Sequence, residues 1–510
     1  MAEHTGESRR VVIAGAGLAG ALMACCLGRA GHRVALYERR PDPRAKGFIG
    51  GRSINLALST RGITALEIVG LAKSVLADAI PMRGRMIHDT HGRLTFQPYS
   101  KNSDDAINSI SRGGLNLTLI EAAAAIPGVE VHFDQRCEDV DLDGPAALFI
   151  HEQTGERTTV DGDLIIGADG AFSAVRGRLQ KQDRFDYSQD YLSHGYKELT
   201  IPPGSDGDFA LEPHALHIWP RPQASGGFMM IVLPNIDRSF TCTCFWPFRG
   251  PTGFEAVELA EDVRPFFEKH FPDAALLMPT LVEDFMANPT SSLVTIRCGP
   301  WHWRDKVIIL GDAAHAIVPF YGQGMNAAFE DCRILDELLR VHADDWGEAL
   351  QMFYERRKPD AEAIADLALE NFIEMRDKVA SRAFLMKKRI EKLVHRLLPG
   401  WFTPLYNLVS FTNVPYAEAR ATARRQWGIV KGAGVSIVFL VAVLLIVMLS
   451  LMWKWSTGSR VPVNERSVSQ AEVHPPPQTV APATVNEGCH GQGRRFGRLC
   501  PCDRGLGRRA

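Results

Sequence analysis

No C-x-x-C pair occurs in this chain, and its ten cysteines, scattered from Cys25 to Cys502, form no disulfide framework. Nothing therefore points to a zinc site, and a reducing compartment fits best. Charge bias is also missing. The formal net charge is -2 over 510 residues, which gives no electrostatic footprint for a nucleic-acid partner. There are no internal repeats. Met1 to Arg10 is polar and charged, and the first apolar run, from Val11, is broken by glycines, so it does not read as a secretory signal.

What is present is enough for two or three domains with sizeable cores: 45% of the residues are apolar and 23% charged. Val11 to Ala14 is a compact β-branched run leading into glycines, a helical stretch follows to Arg29, and Val34 to Glu38 is a second strand. This is the opening of a parallel β-α-β unit. Ile54 to Leu76 reads as loop then helix, and Asn116 to Ile126 as a helix ended by Pro127-Gly128. Val129 to Phe133 and Asp163 to Ile166 read as strands. From Tyr187 to Asn288 the pattern changes to short strands, and Ser239 to Phe245 alternates as a half-buried sheet would. Val307 to Leu310 returns to a buried strand, a helix runs from Gly324 to Arg340, and Trp346 to Trp427 is mostly helical.

Gly15-Ala16-Gly17-Leu18-Ala19-Gly20 follows a strand and opens a helix. Gly15 allows the tight turn, Gly17 lets the backbone approach a pyrophosphate, and Gly20 lets helix and strand pack closely. Glu38 ends the second strand, where a carboxylate can bind a ribose hydroxyl. These residues predict a dinucleotide and leave FAD and NAD equally open. Leu164 to Gly170 is a strand running into Asp169-Gly170, and Val307 to His315 is a strand running into Gly311-Asp312. Asp312 is an acceptor for sugar-like hydroxyls at a strand's carboxyl end, where open α/β sheets bind ligands. Pro319 to Asn326 is a loop whose following helix can aim its N-terminus at negative charge. No second G-x-G-x-x-G is found.

In this order and spacing, the three motifs resemble the FAD-dependent aromatic hydroxylases. The likeness narrows to the kynurenine 3-monooxygenase family on Gly51 to Ser59, Pro81 to His88, Arg184 to Ser188, His194 to Pro203 and Pro319 to Asn326. It runs from about Val11 to Tyr416. The resemblance implies FAD as cofactor, with NADPH docking transiently near the flavin and molecular oxygen as co-substrate. It implies hydroxylation of L-kynurenine beside its ring amino group through a flavin hydroperoxide. Arg85 and Tyr99, with Asn371 and Tyr406, would bind the amino-acid end of the substrate, Arg85 pairing with the carboxylate. Read alone, Arg85 is a surface arginine. For FAD the pattern carries to Ala19, Tyr37, Glu38, Arg39, Arg40, Ala57, Arg112, Cys137, Asp312, Met325 and Asn326, beside the turn glycines Gly15, Gly17 and Gly20, and it implicates the Asp169-Gly170 segment in both FAD and NADPH binding. At Cys137 only a backbone role is expected, and Gly50 and Gly113-Gly114 depart from the commoner pattern. Pro319, Phe320 and Gln323 are the candidates for catalytic contribution; His315 is expected to be structural, hydrogen-bonded near Asp312.

The expected fold class is α/β: a Rossmann-type FAD-binding domain with an inserted, mostly antiparallel β-sheet substrate domain, C-terminal helices and one transmembrane helix. The FAD-binding domain comprises 1–186, with a substrate-side piece at about 80–110, and 296–345. The sheet domain occupies 187–295, the helical region 346–430 and a disordered tail 456–510. Gly432 to Trp453 carries no charge over its length and predicts a membrane span at 432–453. The resemblance implies the mitochondrial outer membrane with the catalytic domain facing the cytosol. Cys500 and Cys502 are read as incidental rather than metal-binding. Two rival functions remain: the same flavin chemistry on another aromatic or quinone-precursor substrate, and a non-catalytic flavin-bearing adaptor.

Overall fold

Short apolar, β-branched runs become the centre of a six-stranded sheet ordered His302–Trp303, Val307–Ile309, Leu164–Gly167, Arg10–Ala14, Arg33–Tyr37, Val129–His132. The computed structural model describes residues 7–457 apart from 47–54, 101, 103, 223–226, 379–381 and 399. Neighbouring strands of this sheet are parallel except at the two-residue edge His302–Trp303. Leu164–Gly167 and Val307–Ile309 are buried throughout, as strands covered on both faces must be. The register sets Ala14 opposite both Gly167 and Tyr37, and Gly167 opposite Ile309. Consequently Gly15, Glu38, Asp169 and Asp312 leave the sheet at one edge.

A seven-stranded sheet runs Ser291–Gly299, Asp186–Ile201, Phe240–Pro247, Phe228–Pro234, Ala215–Arg221, Gly84–His88, Leu94–Pro98. It is antiparallel except where Gly84–His88 joins Ala215–Arg221 in parallel, because that hairpin arrives from a remote part of the chain. The expected half-buried alternation at Ser239 to Phe245 is corrected here: Phe240 to Trp246 is buried on both faces. Cys242, Cys244 and Trp246 pack with Phe267 and Phe285 of two helices, Ala260–His270 and Leu281–Ala287. Phe245 packs on the opposite side with Phe320 and Ile364.

Two small sheets depart from the sequence expectation. Asn55–Leu58 is a strand rather than a loop, antiparallel to Ile107–Ser111, which also pairs with Ile80–Met82. Gln135–Asp141, Ala146–His151 and Arg157–Asp161 form a meander whose polar residues carry little strand signal. The helical expectation after Trp346 resolves into Trp346–Ile373, a π-helical turn Glu374–Lys378, Arg382–Leu397, Leu405–Ser410 and Tyr416–Thr457.

The chain divides into two compact units, 1–435 and 436–510. The expected span at 432–453 lies within the helix Tyr416–Thr457. Among the described residues no helix is long and apolar enough to cross a membrane, so the transmembrane element of the expected fold is not borne out. The side chains of 433–442, the tail beyond Thr457 with Cys500 and Cys502, and residues 51–54 of the Gly51 to Ser59 run lie outside the described residues.

Candidate active site

The glycine turn is dictated by close packing. Gly15 has φ +99, and a Cβ there would lie 2.5 Å from the Ala168 carbonyl oxygen. A Cβ on Gly20 would sit 1.9 Å from the Gly15 oxygen. At Gly17, by contrast, the Cβ direction opens onto empty space. Gly17 is also the N-cap of the helix Leu18–Arg29, and no side chain caps it. That N-terminus therefore offers backbone N–H groups to an anion. Glu38 is buried. Its Oε2 accepts from the Ala16 N–H at 2.9 Å, and its Oε1 accepts from the Arg40 N–H at 3.1 Å and Nε at 2.8 Å. A carboxylate has about four lone-pair sites, so acceptor capacity remains for a ribose hydroxyl.

Along the same edge, Asp169 Oδ2 accepts from the Ala174 N–H at 2.7 Å, while Oδ1 is buried without a hydrogen-bond partner. Burial pushes the Asp169 carboxyl above its usual range, against the hydrogen bonds it accepts. Cys137 is buried next to it and its thiol is raised by burial and then by the Asp169 charge, which fits a packing role rather than a reactive one. Asp312 is exposed and begins a short helix after Gly311, whose φ is +59. Ala19 lies beside Gly311, and Ala57 beside Gly322. Arg39 and Arg112 are exposed, and Met325 packs on the main core. The Tyr37 ring stacks on His132 and Phe149, so only its backbone, whose oxygen accepts from the Gly15 N–H at 2.7 Å, touches the glycine turn. The open glycine edge, the uncapped helix and the orphaned Asp169 oxygen fit an extended dinucleotide with hydroxyl donors.

The loop that opens the helix Gly324–Val341 is tied down by side chains that the sequence offered as ligand contacts. Asn326 donates from Nδ2 to the Ala57 and Gly322 oxygens, both at 2.8 Å, and its Oδ1 accepts from the Ser59 N–H at 2.9 Å. Its side chain is thus used in holding the loop, leaving backbone for a cofactor. Gln323 is buried, and its Oε1 accepts from the Tyr416 hydroxyl at 2.8 Å. Pro319 is exposed, whereas Phe320 packs on Phe245 and Phe372 at ring distances of 4.8 and 4.4 Å.

His315 is hydrogen-bonded near Asp312, as expected of a structural residue: its Nε2 bonds Asp331 at 2.6 Å, beneath the Gly311 turn. Asp331 also accepts from the Gly311 N–H at 3.0 Å and from Arg357 at 2.7 Å. Arg357 and Arg61 share the buried Glu330, at 2.7 and 2.6 Å. This buried cluster fixes the Gly311 turn from beneath, and nothing in the linear sequence announced it.

Beyond this edge, the predicted substrate residues converge. Arg85 lies in Gly84–His88, and Tyr99 follows the partner strand, its N–H donating to the Arg83 oxygen at 3.1 Å. The Arg85 guanidinium stands 5.8 Å from the Tyr99 ring centre and 4.9 Å from that of Tyr406. The Tyr99 and Tyr406 rings stack at 4.9 Å. Asn371 joins through the loop, donating from Nδ2 to the Phe320 oxygen at 2.7 Å. Tyr321, a residue the sequence reading missed, is buried and stacks on Tyr406 at 5.7 Å. Only its place inside the Pro319 to Asn326 run could have flagged it. Arg85 Nε and the Tyr99 hydroxyl are both buried without hydrogen-bond partners. Burial works against the Arg85 charge, and Tyr406, Tyr99 and Glu374 outweigh it, so the guanidinium stays charged. Burial keeps the Tyr99 and Tyr321 hydroxyls protonated as donors. A cation with an unpartnered Nε and an unpartnered Tyr99 hydroxyl, set among aromatic rings, could receive an anionic group carried by an aromatic molecule.

Comparison with known proteins accords with this geometry. A family model described as an FAD binding domain matches residues 8–368. Kynurenine 3-monooxygenase of Myxococcus xanthus is 50% identical over 427 residues, covering 83% of this chain and 91% of that protein. The kynurenine 3-monooxygenase of Anopheles gambiae is 46% identical, covering 82% and 84%. Among solved structures, a tetrameric form of 2-methyl-3-hydroxypyridine-5-carboxylic acid oxygenase aligns with a TM-score of 0.60 at 22% identity, covering 74% of this chain and 96% of that one. P. aeruginosa PqsL in complex with 2-aminobenzoylacetate aligns with a TM-score of 0.58 at 23% identity, covering 73% and 97%. The fold is that of FAD-binding monooxygenases, with mixed α/β sheets. With an FAD-binding domain across most of its length and near-complete relatives at up to half identity, the chain belongs to the kynurenine 3-monooxygenase family.

Proposed function

We propose that the protein hydroxylates L-kynurenine to 3-hydroxykynurenine, consuming one NADPH, one proton and one molecular oxygen and releasing NADP+ and water. Bound FAD supplies the electron transfer from NADPH and the activation of oxygen. The chain's own residues do the rest. Gly15 to Gly20, Glu38, Asp169 and Asp312 hold the dinucleotide along the sheet edge, and Asn326 braces the loop below it. Arg85 pairs with the substrate carboxylate, Tyr99 donates to it, and Tyr406 and Phe320 wall the aryl ring and exclude water. The ring amino group already enriches the carbon to be hydroxylated, so no dedicated base is invoked. One observation carries the reading: a charged guanidinium whose Nε lacks a partner and a tyrosine hydroxyl that lacks one too, buried among aromatic rings beside the loop at Phe320.

The division into two FAD-binding segments around a substrate-meeting sheet is part of the same proposal. The test is NADPH oxidation by purified, FAD-loaded protein, with mass spectrometry of the product. Oxidation stimulated by L-kynurenine and one oxygen atom added to the substrate are expected. FAD binding without stimulated oxidation would favour the adaptor reading, and stimulation only by carboxylate-free rings would favour a quinone-type substrate. We propose further that the C-terminal helix attaches the protein to a membrane, the mitochondrial outer membrane being the one the family likeness suggests. The support is the run of exposed apolar side chains from Leu444 to Trp453. Removing 432–510 should move the protein from the pelleted membranes to the supernatant; a truncated protein that still pellets counts against this.

A further inference from the structure

An amino acid arrives as a zwitterion. A pocket that desolvates its carboxylate beside Arg85 must desolvate its ammonium as well, and a buried charge without a partner is costly. The residues gathered around Arg85 by likeness supply a cation, hydroxyls and an amide, but no anion. The chain supplies one at the end of the helix that carries Asn371. There, at Glu374–Lys378, the α-helix widens into a π-helical turn, a feature that is frequent at functional sites.

Glu374 opens that turn. Its N–H bonds back to the Asn371 oxygen, so it lies one turn beyond Asn371 on the same side of the helix. The next residue, Met375, accepts from Asn371 Nδ2 at 3.3 Å and packs in the same cluster as Phe320, Tyr321 and Phe372. Glu374 is half-buried, and its charge acts on both Arg85 and Tyr321, the two groups that bracket Tyr406. Two further acids lie on this stretch of helix. Glu370 pairs with Arg420 at 2.8 Å, and Asp377 pairs with Arg376 at 2.6 Å.

We propose that Glu374 is a specificity-determining residue that accepts the α-ammonium of the substrate while Arg85 takes the carboxylate. The two side chains then form a matched pair for a zwitterion and select an α-amino acid over a simple aryl keto acid. This deepens the kynurenine reading and rests on it. A carboxylate holds about four acceptor sites, so its existing neighbours leave room for an ammonium.

The test uses FAD-loaded, full-length protein, unmodified and Glu374→Gln. The probes are L-kynurenine and its analogue lacking the α-amino group, 4-(2-aminophenyl)-4-oxobutanoate. KM and kcat are measured for each, and Kd is read from the flavin absorbance change. A charge-assisted hydrogen bond predicts a rise in KM and Kd for L-kynurenine of about tenfold or more in the variant, with kcat little changed. The analogue should show nearly equal constants in both proteins. An equal loss on both compounds, or no loss on L-kynurenine, overturns the assignment. Should the variant not fold, the unmodified protein decides: it must bind L-kynurenine at least about tenfold more tightly than the analogue, and equal affinities overturn the assignment. No kynurenine-stimulated oxidation in the unmodified protein overturns the hydroxylase reading itself, and this inference with it.

Discussion

At the sheet edge, the groups proposed to meet the cofactor are mostly backbone: an open glycine turn, an uncapped helix N-terminus, and a loop held by Asn326. Around Arg85 the groups are side chains from four remote places: the hairpin Gly84–His88 and Leu94–Pro98, the loop at Phe320 and Tyr321, the helix end at Asn371, and the short helix carrying Tyr406. The first arrangement has a short-range signature because one turn must satisfy tight sterics. The second has none, because each residue is ordinary where it stands and acquires its role only when the strands and helices assemble.

Breaking the edge should therefore damage binding and fold together, and breaking the cluster should damage kinetics alone. The largest effect is expected from Gly20→Ala, whose methyl would collide with the Gly15 carbonyl at 1.9 Å. Little soluble protein should be recovered, and what there is should lack FAD by absorbance; normal flavin content would refute the packing argument. Next comes Asn326→Asp, which removes the donor to the Ala57 and Gly322 oxygens. Each carbonyl left unsatisfied costs about 1–3 kcal/mol, so FAD affinity measured by titration of apoprotein should fall at least tenfold.

The smallest effect sharpens the boundary between the two regions. Glu198 is half-buried in the strand Asp186–Ile201; burial pushes its carboxyl up to about 7, with Arg112 working in the opposite direction. Between its ordinary 4.5 and about 7 the folded state holds the extra proton, so stability falls as pH rises through this window. Glu198→Gln should leave melting unchanged at pH 4 and raise it by about a few degrees at pH 8. An equal shift at both pH values would show that the carboxyl does not titrate there.

Legibility follows the same division. The parallel strands, the glycine turn, Asp169, Asp312 and the helix after Gly324 could be read because buried strands and tight turns restrict composition locally. Asn55–Leu58 reads as loop in the sequence because a four-residue strand is too short to show a period. The meander from Gln135 to Asp161 leaves no strand signal because its strands QRCEDVD and RTTVD are polar on the exposed side. The burial of both faces of Phe240–Pro247 depends on helices more than a dozen residues away in sequence. Arg85, Tyr99, Asn371 and Tyr406 stand out by family likeness and not by any local pattern. Tyr321, Glu374 and the His315–Asp331–Arg357 cluster needed the assembled structure.

The central claim is that a kynurenine carboxylate is held by Arg85 in a cluster separable from the cofactor edge. Its most direct test is the steady-state kinetics of Arg85→Ala on L-kynurenine with FAD content measured alongside. Truncating one partner of a desolvated ion pair predicts a loss in kcat/KM of about 100-fold or more, with flavin content and melting temperature unchanged. Unimpaired turnover of L-kynurenine by that variant would contradict the account.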